Sequence, residues 1–145
     1  MRDLIPPAVA RHPAEAVELV TVAISDGDLE AALAQYERDA VLRPWQESSP
    51  AEAPVAGQLS AVMDLRLPVG LTVRAVVPVG SLALVVGDRR ISGTGPDCEH
   101  IELAGSGAAV VRRQPGGGWR IAADAWCLAG TGVPGVSPRP PGELP

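Results

Sequence analysis

Apolar side chains recur at helical spacing through the first part of the chain and at alternate positions from Leu71 onward, so helices are expected first and strands after. Val17, Val20 and Ile24, with Leu19 beside them, mark one face of a helix opened by Pro13-Ala14-Glu15. Proline suits the first turn, and a glutamate there favours the positive helix end. Ser25-Asp26-Gly27 closes this helix, with Gly27 free to take the left-handed cap conformation. Asp28 is a natural N-cap for a second helix, whose stripe is Leu29, Ala32, Leu33 and Tyr36. Val41-Leu42 then begins a strand that Pro44 must end or confine to a sheet edge. After a polar, proline-containing loop over residues 47–54, a third helix is expected over 58–66. It would show Leu59, Val62, Met63 and Arg66 on one face and stop at Pro68 and Gly70.

From there the period is two. Leu71, Val73, Ala75, Val77 and Val79 alternate with Thr72, Arg74, Val76 and Pro78. Gly80-Ser81 is a turn, and strands are expected over 82–92, 99–113 and 119–128. Turns rich in Gly and Pro separate them at 93–97 and 114–118. Gly105 and Gly107 suggest a bulge or strong bend within the long strand. Three helices followed by a meander of antiparallel strands is an α+β architecture. We expect one domain over residues 1–128 and a Gly/Pro-rich, extended or disordered tail over 129–145.

Composition narrows the function classes. A chain of 145 residues, 46% hydrophobic and 20% charged, can bury one real core. No run approaches the roughly 18 apolar residues of a membrane span, and no signal-peptide core is present, so a cytoplasmic location is expected. The net charge is −5 and the chain has no lysine, which argues against a nucleic-acid partner. Cys98 and Cys127 are too few for a disulfide framework or a metal knuckle. Phenylalanine is absent, so the walls of any cavity must be mostly aliphatic around Tyr36, Trp45, Trp119 and Trp126.

Three segments carry a resemblance. The run from Asp26-Gly27-Asp28-Leu29 to Asp39-Ala40-Val41-Leu42 resembles the entry to the cone-shaped fold of the NTF2-like group, which includes SnoaL-like and ketosteroid-isomerase-like proteins. Ala83-Leu84-Val85-Val86-Gly87-Asp88-Arg89-Arg90-Ile91 resembles the third-strand region of SnoaL-like proteins. Val110-Val111-Arg112-Arg113, the glycine turn and Trp119-Arg120-Ile121-Ala122-Ala123-Asp124 resemble their final hairpin. Together they cover residues 13–128. The resemblance implies an NTF2-like cone of three N-terminal helices on a curved antiparallel sheet, one apolar cavity for a small hydrophobic ligand, and a homodimer paired through the outer sheet face. It implies no function, because this fold hosts enzymes, binding modules and association domains.

Carried over by that resemblance, the general base of ketosteroid isomerases falls on Pro44, the tyrosine donor on Val20 and the acidic donor on Ala109. None of these side chains transfers or donates a proton, and a one-residue slip at the first position offers only Arg43 or Trp45. Tyr36, Trp45, Met63, Arg66, Ala109 and Trp126 remain as expected lining residues, and Asp124 as the candidate acid or base. A buried carboxylate there would have a raised pKa suited to proton transfer. Strand alternation opposes it, since Ile121, Ala123 and Ala125 form the apolar set, and Asp124 would then face solvent or pair with Arg120 or Arg66. His100 and Glu102 share a strand face, but Ile101 and Leu103 are the inward set there. No metal site and no cofactor is expected, and Gly116-Gly117-Gly118 is a hairpin turn rather than a phosphate loop. Three functions stay open: a ligand-binding module, a SnoaL-like cyclase or isomerase using Asp124 with Tyr36 or Trp45 orienting the substrate, and an association domain without ligand.

Overall fold

Helix caps and one long-range pairing set the first third of the fold. The computed structural model describes residues 8–45, 54–134, 136 and 138. Helix α1 spans Pro13–Ser25 with proline in its first turn, and Gly27 follows it at φ 71°. Asp28 caps helix α2, Leu29–Leu33, its carboxylate accepting the Ala31 N–H at 3.1 Å. Alanine at position 28 is expected to cost about 1 kcal/mol in urea unfolding.

Strand β1 spans Tyr36–Trp45, so Tyr36 opens a strand rather than closing the stripe of α2. The expected start at Val41 lay five residues too late. The Gln35 carbonyl accepts the Ile121 N–H at 2.7 Å, which commits the chain to the sheet after one helical turn. A helix this short has too few internal bonds to resist that pairing.

Helix α3 spans Val55–Met63, three residues before the expected window. Leu59, Val62 and Met63 keep one face, but Arg66 falls beyond the helix, exposed and at φ 56°. The loop expected over 47–54 lies outside the described residues except for Pro54, as does the tail at 135, 137 and 139–145.

The remaining strands are β2 (Val69–Val79), β3 (Leu82–Thr94), β4 (His100–Arg113) and β5 (Trp119–Thr131). β5 runs three residues past its expected end at Leu128. The sheet order is β1-β5-β4-β3-β2, antiparallel except where β1 joins β5 in parallel. The expected antiparallel meander holds over β2 to β5, and the parallel pair adds β1 at one edge. Pro44 sits in this edge strand, where its missing N–H breaks no interior ladder. α1 and α3 cover the inner face through Val17, Val20, Ile24, Leu59 and Val62, against Leu42, Ile91, Leu103, Val111, Ile121 and Leu128. No helix among the described residues is long and apolar enough to cross a membrane.

Two local features shape the sheet where the candidate residues stand. Partners run Ala104↔Ala129 and resume at Ala108↔Ala125 without a change of register. Between them the β5 carbonyls close on β4: a Cβ at Gly105 would lie 2.4 Å from the Cys127 oxygen, and one at Gly107 would lie 1.9 Å from the Ala125 oxygen. The glycines thus permit a close bend, with Cys127 itself at φ 57°. The shift of register lies elsewhere, between the Val110↔Ala123 and Val111↔Ile121 pairs, so Ala122 is the extra residue.

Candidate functional site

The extra residue at Ala122 decides which way Asp124 points. One inserted residue reverses the in–out alternation of a strand. Trp119 and Ile121 face inward before it, and Asp124, Trp126 and Leu128 face inward after it. Ala123, expected on the apolar side, is exposed. Asp124 is 3% exposed, between Ala109 of β4 and Leu42 of β1 in the two ladders.

Its carboxylate is held from three directions. Oδ2 accepts the Tyr36 hydroxyl at 2.8 Å and the Trp126 indole N–H at 2.8 Å. Arg89 Nη2 stands 3.5 Å from Oδ1, at the outer limit of a hydrogen bond, with both side chains buried. The Arg89 guanidinium lies over the Trp126 ring, 4.7 Å from its centroid. Arg89 Nε is buried without a hydrogen-bond partner among the described residues. A charged pair in an aliphatic interior is costly to desolvate and holds only while its partners remain in place.

Two N–H or O–H donors and a cation thus converge on the one carboxylate. Tyr36 is the complementary donor. Burial raises its phenol well above the ordinary tyrosine value; the negative charge of Asp124 and the hydrogen bond to it add to the rise, and Arg89 opposes it. Below about pH 10 the phenol is neutral in folded and unfolded chains alike. Above that pH the unfolded chain loses the proton while the folded chain keeps it, so stability falls as pH rises. Tyr36 is the only tyrosine, so near-ultraviolet phenolate absorbance follows it alone. The expected titration shows no phenolate until the protein unfolds, and Tyr36→Phe loses the alkaline decline.

The structure brings Tyr36, Asp124 and Trp126 into one cluster, with Ala109 beside Asp124 in the ladder. Trp45 and Met63 are half-buried and pack at the margin of the core. Arg66 and Arg120 are exposed, so the arginine partner of Asp124 is Arg89, which sequence reasoning missed. The available signal was its place in the inward series Ala83, Val85, Gly87, Arg89, Ile91 of β3. Pro44, Val20 and Ala109 are buried as apolar groups.

Outside the cluster, charges pair on the outer face. Arg74 and Ser106 bond Asp88, while Arg90 and Ser92 bond Glu102 at 2.5 and 2.7 Å. Each carboxyl is held below its ordinary value, chiefly by its serine and then by its arginine. His100 Nε2 lies 3.5 Å from Glu102 Oε1 in the same exposed row. A depression of about 710 Å³ opens here, lined by Thr72, Asp88, Arg90 and Ser106 among others. The outward side chains at its rim are already paired, Asp88 with Arg74 and Ser106 and Arg90 with Glu102. Among the described residues no three His, Cys, Asp or Glu side chains converge on a common point.

No family model and no curated protein sequence matches the chain. Solved structures do. A ketosteroid isomerase-like protein from Erwinia carotovora atroseptica superposes with a TM-score of 0.66 at 18% identity, over 77% of this chain and 89% of that one. A protein described as a calcium/calmodulin-dependent protein kinase type II association domain, from Thiobacillus denitrificans, gives 0.64 at 17%, over 81% and 95%. The Δ5-3-ketosteroid isomerase of a Mycobacterium species gives 0.54 at 20%, over 77% and 88%. At such identities the likeness is one of architecture: the chain has the NTF2-like, ketosteroid-isomerase-like α+β cone fold.

Proposed function

We propose that this protein binds a small, largely apolar molecule between the helices and the inner face of the sheet, with the Tyr36–Asp124–Arg89–Trp126 cluster as the polar end of the site. The observation that carries this reading is a buried arginine and aspartate held by two further polar side chains in a mainly apolar interior. Leu42, Leu59 and Val62 supply apolar wall, and Trp45 and Met63 stand at its margin. Such a combination, apolar walls with a few fixed polar groups, is typical of small-molecule sites.

Binding is a better reading than proton transfer. Both oxygens of Asp124 are already engaged, Oδ2 by Tyr36 and Trp126 and Oδ1 by Arg89, which leaves little room for a substrate proton, and Pro44, Val20 and Ala109 offer none. A cyclase or isomerase would have to work through the Oδ1 edge of Asp124 with Tyr36 as donor. Calorimetric titration with tetralin, a neutral bicyclic hydrocarbon, tests the binding reading. Saturable one-to-one binding with a negative heat-capacity change is expected; heats no larger than dilution contradict it.

Pairing of two chains through the outer sheet face is favoured by a separate observation. Val77 lies opposite Leu84, and Leu84 opposite Val110, on the outward side of β2, β3 and β4. Val77 and Leu84 are 46% and 37% exposed. Contiguous exposed apolar groups mark association surfaces. Sedimentation equilibrium of the full chain is expected to give a dimer; a monomer at tens of micromolar would remove this part of the reading.

A further inference from the structure

We infer that Arg89 is the recognition point of this site, and that the group it recognises is a neutral oxygen acceptor carried by an otherwise apolar ligand. The inference rests on the binding reading above and adds to it the chemistry of the recognised end.

Arg89 is 3% exposed, yet its one polar contact among the described residues is a 3.5 Å approach of Nη2 to Asp124 Oδ1. Nε has no partner among the described residues. Arginine carries five N–H donors, and a buried donor left unpaired costs the full desolvation of that group. An arginine placed purely to neutralise Asp124 would close on it with two short, parallel bonds.

Asp124 is not free to close that gap. Its Oδ2 is fixed by Tyr36 and Trp126, each at 2.8 Å. Turning the carboxylate to meet both Nη2 and Nε would give up those bonds. Trp126 also supports the guanidinium plane from below, at 4.7 Å. The cluster thus holds Arg89 in place with part of its donor edge unsatisfied, a preorganised arrangement for an oxygen supplied from elsewhere.

Arg89 and Asp124 sum to zero inside an apolar core. A ligand carboxylate would bury a second negative charge beside Asp124 with no further cation to match it. A carbonyl, ether or hydroxyl oxygen satisfies Nε and leaves the interior neutral.

Three matched probes test this on the full chain by calorimetry: tetralin, α-tetralone, which adds one carbonyl oxygen, and a tetralin carboxylate. The expected result is that α-tetralone binds at least about tenfold tighter than tetralin, the worth of one satisfied buried donor, and that the carboxylate binds no better than tetralin. Arg89→Met should abolish the preference for α-tetralone while tetralin still binds. Should that variant not fold, Arg89→Lys keeps the charge without Nε and should reduce the preference in the same way. Equal binding of tetralin and α-tetralone overturns the inference while leaving the binding reading intact, as would be found if a buried water alone meets Nε. Tighter binding of the carboxylate also overturns it. Failure of all three probes to bind overturns both.

Discussion

Replacing Asp124 by alanine is expected to lower the stability of the protein by about 3–5 kcal/mol, the cost of leaving a buried charge without its partner. Three groups lose their acceptor at once: the Arg89 guanidinium, the Tyr36 hydroxyl and the Trp126 indole N–H. Water replaces the lost acceptor poorly, since Arg89, Tyr36 and Trp126 are only 3%, 5% and 1% exposed. Asparagine keeps the volume and one acceptor but turns an amide toward a cation, so its loss should be smaller, about 2 kcal/mol. Urea unfolding followed by far-ultraviolet circular dichroism measures both. A loss below about 1 kcal/mol for the alanine variant is the size of a single ordinary surface change and would mean that the cluster is not closed in solution.

The second large effect is purely steric. Alanine at position 107 would place its Cβ 1.9 Å from the Ala125 oxygen and 2.9 Å from the Ala125 carbonyl carbon, both backbone atoms of β5. Neither can move without parting β4 from β5 between Asp124 and Trp126. Gly107→Ala is therefore expected to cost about 3 kcal/mol or more, at the upper end of overpacking. Gly116 is the control, because a Cβ there meets nothing within 4 Å. Gly116→Ala should stay within about 0.5 kcal/mol of the parent. Equal behaviour of the two variants would show that the close approach of β5 to β4 is not present in solution.

Local chemistry made much of this fold legible in the sequence. Pro13, the Ser25-Asp26-Gly27 stop and the Asp28 cap place α1 and the start of α2, and the alternation from Leu71 onward gives β2 to β5 in order. Tyr36 was misplaced because Leu29, Ala32, Leu33 and Tyr36 fit a helical stripe, while the pairing of Gln35 with Ile121 draws on a segment far along the chain. Long-range pairing leaves no mark in a local period.

The site shows the same limit. Tyr36 and Trp126 stand out by residue type and Asp124 by the resemblance of the last strand, but their meeting depends on the extra residue at Ala122. Nothing about an alanine there distinguishes a bulge from regular strand, so alternation placed Asp124 on the wrong face. Arg89 was different. Its lone charge stands in the inward series of β3, a signal the sequence carries, while the arginines at 66 and 120 are exposed.

The most direct test is a crystal structure of the full chain grown with saturating α-tetralone. The account predicts the bicyclic ring between the helices and the inner sheet face, with its oxygen about 3 Å from Arg89 Nε and the Tyr36 and Trp126 bonds to Asp124 unbroken. A probe seated instead in the outer depression beside Thr72, Asp88, Arg90 and Ser106, with the inner face filled by side chains alone, would contradict it.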